Sequence, residues 1–243
     1  MEDRRAASRE VVDRLRAGDL ALEGRLVNAS NASFYGHVSG PPEAPALPCI
    51  YKPVRGERPL DDFPDGTLAS REVAAFHLSE ATGWAIVPPT VLRDGPFGLG
   101  MVQAWLETDP AIDPVDLIRS SASALRRMAL FDAVANNADR KVGHLLPMAD
   151  GHVYGVDHGI CFAVEPKLRT VLWNWRGERF RKRELALLRM LQAQLDGRLG
   201  RRLAGLLAPA EVTATAGRIA ALLATGRFPQ PDPERPAVPW PPY

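Results

Sequence analysis

The sequence predicts an α+β protein with two lobes, a small β-rich lobe followed by a mostly helical lobe. Up to about residue 105, short apolar runs alternate with turn-forming residues and surround one helical pattern. Beyond that point the apolar residues follow helical spacing, apart from one short hairpin. At 243 residues and 46% hydrophobic content, the chain can form one compact domain or two closely packed lobes.

These patterns divide the chain into four parts. We expect an N-terminal helix within residues 1–19, the β-rich lobe in residues 20–105 and the helical lobe in residues 106–228. Residues 229–243 are rich in proline, which continues neither a helix nor a central strand, and this composition predicts an extended tail.

Each element of the β-rich lobe has its own signal. Apolar residues at helical spacing predict a helix over residues 6–18, and a turn rich in Ser and Asn predicts a hairpin over residues 21–38. A helix should begin at Thr67 or Ser70 and end at Gly83, because glycine readily adopts the left-handed conformation that terminates helices. The expected strands are residues 49–52, 87–92 and 99–105.

The helical lobe is predicted from capping residues and from leucine spacing. An Asp-Pro pair is a favoured helix start, and leucines three or four residues apart indicate the buried stripe of a helix. The expected elements are a short helix capped by Asp113, a helix over 121–136, a hairpin with strands at 144–147 and 153–156, a long helix with leucines from Leu185 to Leu199, and a last helix from Pro209 to about Thr225.

Composition argues against several classes of function. A formal net charge of +1 argues against a large nucleic-acid-binding surface. No apolar run approaches membrane-spanning length, and the first residues lack the apolar core of a secretion signal. We therefore expect no stable membrane anchor and a cytoplasmic location. Two cysteines, Cys49 and Cys161, are too few for a disulfide framework or a zinc site.

The most informative segment is residues 136–144, with the sequence Asn-Asn-Ala-Asp-Arg-Lys-Val-Gly-His, which is followed by Val-Asp-His-Gly at residues 156–159. The hairpin expected between them has Asp-Gly as its turn. Because a hairpin brings its two ends together, Asp139 and His144 should lie close to Asp157.

This arrangement fits phosphoryl transfer, which depends on positioning and charge neutralisation more than on covalent chemistry. Asp139 would orient the acceptor hydroxyl. Asp157 would hold Mg²⁺ against the nucleotide phosphates, since Mg²⁺ prefers a few oxygen ligands. The alternative is that Asp139 caps a turn and Asp157 lies in an ordinary loop, but the spacing of the two carboxylates favours the functional interpretation.

The β-rich lobe contains a candidate ion pair. Only four of the 30 basic residues are lysines, so Lys52 within an apolar strand indicates a need for a compact, flexible ammonium group. Glu72 on the following helix is placed to pair with it. The alternatives are a surface lysine that extends its stem over apolar neighbours and an acid favoured by the helix dipole.

Two further segments are candidates for nucleotide contact. The turn that contains Ser30 and Asn31 can cover phosphates with its backbone N–H groups, although it is also an ordinary hairpin turn. The chain from Gln103 to Leu106, which includes Trp105, leaves the last strand of the small lobe and would be the connector where an adenine ring docks. The indole of Trp105 is expected to pack rather than to stack on the base.

The chain resembles the phosphatidylinositol 3-/4-kinase-like group of atypical kinases and, more loosely, the HipA-like kinases. Within that group it is similar to an uncharacterised bacterial family. The matching stretches are residues 50–53, 68–74, 132–144 and 156–159, and the Asn-x-Asp-Arg run is their specific part. The resemblance spans about residues 20–165 and implies a bilobal protein-kinase-like fold that uses ATP and Mg²⁺.

The resemblance also implies roles for individual residues. These are phosphate contact for Lys52, positioning of that lysine by Glu72, catalysis by Asp139 with Arg140 steadying the loop, and metal binding by Asp157. His144 stands where the group usually has Asn and is expected to make the second metal contact. Imidazole is a poorer ligand for Mg²⁺ than an amide oxygen, so contact with a phosphate is the other role open to it.

The leading interpretation is an ATP- and Mg²⁺-dependent phosphotransferase that acts on a protein or small-molecule hydroxyl. A lipid ranks lower, because the sequence has no basic cluster typical of proteins that bind anionic membranes. The second interpretation is a non-catalytic nucleotide-binding module in which His144 marks lost activity. The third is a metal-dependent hydrolase that uses His144, His152, His158 and Asp157.

Overall fold

A computed structural model describes residues 2–27, 31–40 and 44–243 of the chain. Its helices are α1 (Glu2–Ala17), α2 (Leu68–Thr82), α3 (Pro114–Arg119), α4 (Ser123–Ala135), α5 (Lys182–Leu195), α6 (Arg198–Ala204) and α7 (Pro209–Thr225). Its strands are β1 (Leu20–Arg25), β2 (Phe34–Val38), β3 (Leu47–Pro53), β4 (Thr90–Gly95), β5 (Gly98–Ala104), β6 (Leu145–Pro147) and β7 (Val153–Gly155). Within these described ranges, no helix is both long and apolar enough to cross a membrane.

The first five strands form one antiparallel sheet in the order β1-β2-β3-β5-β4. Successive side chains of a strand point to opposite faces, so β3 serves both faces of the sheet. Cys49 and Tyr51 are fully buried on the face that packs against Leu15 of α1. Lys52 therefore points to the opposite face, which is the face covered by α2.

Helix α2 belongs to both lobes. Ala69 and Val73 pack against Met101 of the sheet, whereas Ala74 and Phe76 join the large apolar core formed by the C-terminal helices. The helix has buried residues all round because it lies between two layers. Its position therefore determines how the two lobes meet.

Ion pairs fix α2 to the helices of the second lobe. Arg71 is fully buried and donates to Glu211 of α7 at 2.5 Å and to the carbonyl of Cys161 at 2.7 Å. In the last turn of α2, Glu80 accepts from Arg202 of α6 at 3.0 Å. The buried Arg71–Glu211 pair opposes a displacement of α2 more strongly than this second pair, because a buried charge that loses its partner has no water to stabilise it.

Two expected strands begin later in the chain than predicted. The strand expected over residues 87–92 begins at Thr90, because the two preceding prolines have no N–H to donate to the sheet. The strand expected from His144 begins one residue later, since a 3-10 turn over Val142–His144 precedes it.

The single long helix expected through Leu199 is in fact two helices, α5 and α6. The chain breaks at Asp196 and Gly197, yet Leu199 stays buried in the same core. Leucine spacing continued across the break, so it gave no signal of the turn. A Cβ atom on Gly200 would lie 1.8 Å from the carbonyl oxygen of Leu195, so only glycine permits this close approach.

We predict that Arg71→Met lowers the free energy of unfolding by about 3–5 kcal/mol, because the buried carboxylate of Glu211 would lose its cation. Urea unfolding followed by circular dichroism measures this. The matched control is Arg119→Met, which removes an exposed arginine paired with Asp116 and should change stability by less than about 0.5 kcal/mol. Equal losses in the two variants would show that the buried pair does not hold α2 in place.

Candidate active site

The loop that carries Asp139 is fixed at its start by Asn136. This residue follows α4 with φ 53°, a left-handed conformation that asparagine tolerates better than most residues. Its side-chain amide donates to the carbonyls of Ala163 and Glu165, and its amide oxygen accepts from the backbone N–H of Lys167. The end of α4 is thereby joined to the segment that follows Asp157.

Arg140 holds the middle of the same loop through its buried side chain. It is fully buried and donates to Asp132 of α4, to the carbonyl of Val156 and, at 2.6 Å, to Nε2 of His158. Burial favours the neutral guanidine, but the carboxylate of Asp132 outweighs it and raises the pKa of Arg140. A permanently charged Arg140 therefore ties the loop of Asp139 to the segment of Asp157.

The short hairpin of β6 and β7 brings His144 and Asp157 together. Leu145 pairs with Gly155, and the backbone N–H of Val156 donates to the carbonyl of His144 at 3.0 Å. As a result, Nε2 of His144 lies 3.4 Å from Oδ2 of Asp157. Burial lowers the pKa of His144 below its ordinary value, so the imidazole is neutral at pH 7 despite its acidic neighbour.

Lys52 is the centre of the charged cluster. Its ammonium nitrogen lies 2.8 Å from Oε1 of Glu72 and 2.9 Å from Oδ1 of Asp157. Burial would favour the neutral amine, but the two carboxylates outweigh it and raise the pKa of Lys52 well above its ordinary value. The same ammonium group lowers the pKa of Asp157 well below the usual range of a carboxyl group. Lys52 and Asp157 are therefore both ionised at neutral pH.

Glu72 uses both of its oxygens. Oε1 accepts from Lys52, and Oε2 accepts from the backbone N–H of His158 at 2.9 Å. The side chain is only 2% exposed. Glu72 thus positions both the lysine and the residue that follows Asp157.

Asp139 lies at the edge of this cluster and pairs with a residue that we did not single out from the sequence. Its Oδ2 atom is 3.2 Å from the ammonium nitrogen of Lys141, and about a fifth of each side chain is exposed. Burial raises the pKa of Asp139, and Lys141 opposes that shift. The scarcity of lysine, which drew attention to Lys52, applies equally to Lys141 two residues after Asp139.

The structure does not gather every candidate side chain into the cluster. The amide of Gln103 is buried and donates to Thr90, and the amide oxygen of Asn31 accepts from the backbone N–H of Arg58. Trp105 packs edge-on against Tyr35, and its indole N–H donates to Glu107. Ser30 lies outside the described residues.

Neither the histidines nor a large cavity identifies a different site. His152 bonds the carbonyl of Ala85 at 2.8 Å, and within the described ranges no group of three or more His, Cys, Asp or Glu could hold a metal. A cavity of about 1140 Å³ lies between α1, α2 and β4. Its lining includes none of the charged residues Lys52, Glu72, Asp139 and Asp157. The charged cluster, not the cavity, marks the candidate active site.

Comparison with curated proteins finds Protein Rv2133c of Mycobacterium tuberculosis, which is 42% identical over 261 aligned positions. The match covers 93% of this chain and 93% of that protein. This chain belongs to the Rv2133c family. No protein-family model matches the chain.

Among solved structures, the chain is similar to the crystal structure of a Helicobacter pylori proinflammatory kinase, CtkA. The TM-score is 0.52, the sequences are 11% identical, and the match covers 88% of this chain and 94% of that one. Identity this low shows the fold alone. This member of the Rv2133c family therefore has a kinase-like α+β fold, with a small β-rich N-lobe and a mostly helical C-lobe, as the sequence predicted.

Proposed function

We propose that this protein is a kinase, an ATP- and Mg²⁺-dependent phosphotransferase that acts on the hydroxyl group of a protein or small molecule. The observation that carries the proposal is the ammonium group of Lys52, held between Glu72 and Asp157 with Asp139 beside them. In a kinase-like fold, phosphoryl transfer needs these parts: a lysine for the phosphates, a carboxylate for the metal and a carboxylate for the acceptor.

The donor groups fit Mg²⁺ in the form in which nucleotides carry it. Mg²⁺ is usually held by one or two protein carboxylates, while phosphates and water complete its coordination. Asp157 has a half-exposed side chain, and Asp139 lies close enough to interact with it electrostatically. Asp157 would hold the metal, and His144 would contribute at most a weaker contact, because imidazole suits other metals better.

The residues of the cluster divide the work of the proposed reaction. Bound Mg²⁺·ATP would supply the phosphoryl group and part of the charge neutralisation. Lys52 is 21% exposed, and its ammonium group could bind the phosphates while it keeps its hydrogen bond to Glu72. Asp139 would accept a hydrogen bond from the acceptor hydroxyl and then its proton. Lys141 would offset the negative charge of the Asp139 carboxylate before the proton is transferred.

The nucleotide base belongs to the same proposal. The chain between Gln103 and Trp105 leaves β5 and would lie against the adenine ring, although both side chains and the backbone N–H groups of Ala104 and Trp105 already have partners within the protein. The turn around Ser30 and Asn31 would lie over the phosphates. A second candidate function, nucleotide binding without transfer, is favoured by one observation: His144 occupies the place of a better magnesium ligand and contacts Asp157.

We predict that Asp157→Ala abolishes the Mg²⁺-dependent part of ATP stabilisation and leaves the fold of the free protein intact. At a ligand concentration of 100 Kd the wild type should gain about 2.7 kcal/mol. Thermal unfolding with ATP, with and without MgCl2, measures the difference. Asp116→Ala, which removes an exposed acid of α3, should behave as the wild type. A normal Mg²⁺-dependent shift in Asp157→Ala would refute the metal role.

We predict that Asp139→Asn keeps the ATP-dependent thermal shift but slows transfer by about 10²–10⁴-fold, because the amide cannot take the acceptor proton. In the wild type, activity should fall as the pH drops through the raised pKa of Asp139, since only the ionised carboxylate acts as a base. The residual activity of Asp139→Asn should lack this acid limb. Transfer at the wild-type rate would leave Asp139 with a structural role only.

We predict that His144→Asn preserves or increases transfer, because an amide oxygen is a harder ligand and suits Mg²⁺ better than imidazole. ATP turnover and melting temperature are measured for the wild type and for His144→Asn. Together they separate an effect on transfer from a loss of packing. A stable variant without turnover would mean that the reaction needs the imidazole itself. If neither the wild type nor His144→Asn transfers phosphate while both bind Mg²⁺·ATP, the second candidate function is correct.

A further inference from the structure

The proline-rich tail segment, residues 229–243, lies against the loops of the candidate active site. The backbone N–H of Val142 donates to the carbonyl of Pro242 at 2.9 Å. The backbone N–H of Thr170 and the indole N–H of Trp173 both donate to the carbonyl of Ala237, at 3.1 and 2.9 Å. We refer to these three donors, Val142, Thr170 and Trp173, as the donor edge.

The donor edge is a direct extension of the loop that carries Asp139. Val142 follows Asp139 by three residues. Thr170 forms a parallel bridge with Arg140: the N–H of Arg140 donates to Arg169, and the N–H of Val171 donates to Arg140, both at 3.1 Å. The tail segment therefore pairs with Thr170, and the backbone around Thr170 pairs in turn with the loop that carries Asp139.

The tail segment is held by its backbone and by one arginine more than by apolar burial. Arg235 donates to the carbonyl of Pro166 at 2.6 Å and lies 3.8 Å from Glu165. Pro239 is buried, whereas Val238 is 40% exposed and Trp240 is 89% exposed. A surface that recognises carbonyl groups in this way accepts an extended chain with few demands on its side chains.

The chemistry of the tail segment suits the donor edge but not phosphoryl transfer. Seven of its fifteen residues are proline, which offers a carbonyl acceptor, has no N–H and loses little entropy on docking because its backbone is already restricted. Residues 229–242 contain no Ser, Thr or Tyr, and the one hydroxyl of the segment is that of Tyr243, which is 70% exposed. The docked stretch fills the edge without offering an acceptor.

We propose that the donor edge is the docking site for an extended peptide acceptor, and that the tail segment occupies this site as a competitor without a hydroxyl in its docked part. This inference rests on the proposed function and narrows its acceptor to an unstructured polypeptide segment. An incoming peptide places its carbonyl groups on Val142 and Thr170, and this brings its hydroxyl side chain to Asp139. The tail segment must leave before that peptide binds.

Peptide binding tests the site without any need for catalysis. A fluorescent peptide with the sequence of residues 235–243 is titrated into the intact chain and into a chain shortened after Glu234, and polarisation is recorded. The peptide should bind the shortened chain and should bind the intact chain about tenfold more weakly or worse, because a tethered tail competes at high effective concentration. Equal binding to both chains, or no binding to a folded shortened chain, overturns the proposal.

A second measurement keeps the full chain, so it stands even if the shortened chain fails to fold. Arg235→Ala should speed hydrogen exchange at the amides of Val142 and Thr170, because it removes the contacts with Pro166 and Glu165. The matched control, Arg189→Ala, changes an exposed arginine of α5 and should leave both amides as protected as in the wild type. Unchanged exchange at these two amides in Arg235→Ala overturns the docking of the tail segment.

Transfer assays separate this inference from the proposed function. With Mg²⁺·ATP and a mixture of unstructured peptides that each contain one Ser, Thr or Tyr, the shortened chain should transfer phosphate faster than the intact chain. A 235–243 peptide with the change Tyr243→Phe, which carries no hydroxyl, should inhibit this transfer. Transfer that this peptide does not inhibit overturns the docking site and leaves the kinase proposal standing. Peptide competition without any transfer to these peptides would leave the tail segment docked on the donor edge and would overturn the role of that edge as an acceptor site.

Discussion

The geometry of the charged cluster depends on two adjacent residues of α2 whose side chains point in different directions. Arg71 points into the C-lobe and pairs with Glu211, whereas Glu72 points into the charged cluster and holds Lys52 and the backbone of His158. A shift or rotation of α2 would break both sets of contacts at once. Breaking a buried ion pair leaves an uncompensated charge, so the cost is high even where the intact pair adds little net stability. The helix is therefore fixed from both sides.

Local patterns were sufficient for much of the fold. Turn residues, capping residues and apolar spacing predicted the α2 helix with its stop at Gly83, the hairpin after residue 144 and the last helix from Pro209. These signals lie within a few residues of the elements they define. The break between α5 and α6 was missed because a buried leucine stripe continues across it. The folded backbone shows that the turn brings Gly200 against the carbonyl oxygen of Leu195, which leaves no room for a larger residue.

The candidate site was predictable only in part, because local sequence patterns encode only some of its contacts. The proximity of His144 to Asp157 follows from a hairpin, and the pairing of Lys52 with Glu72 was expected from a helix beside a strand. The Arg71–Glu211 pair joins residues 140 positions apart, and no local pattern encodes it. The contact of Lys141 with Asp139 is local, but a two-residue spacing in a loop does not determine where a side chain points.

The contact between Lys52 and Asp157 has a consequence for the order in which ligands reach the cleft. Asp157 already has a cation 2.9 Å away, so it attracts a second isolated cation only weakly. In the proposed kinase, Lys52 would exchange this contact for the anionic phosphate groups of the nucleotide. Asp157 would then be free to bind the metal, so metal and nucleotide would enter as one complex, with positive cooperativity between them. Lys52 would thus disfavour binding of the metal ion without the nucleotide.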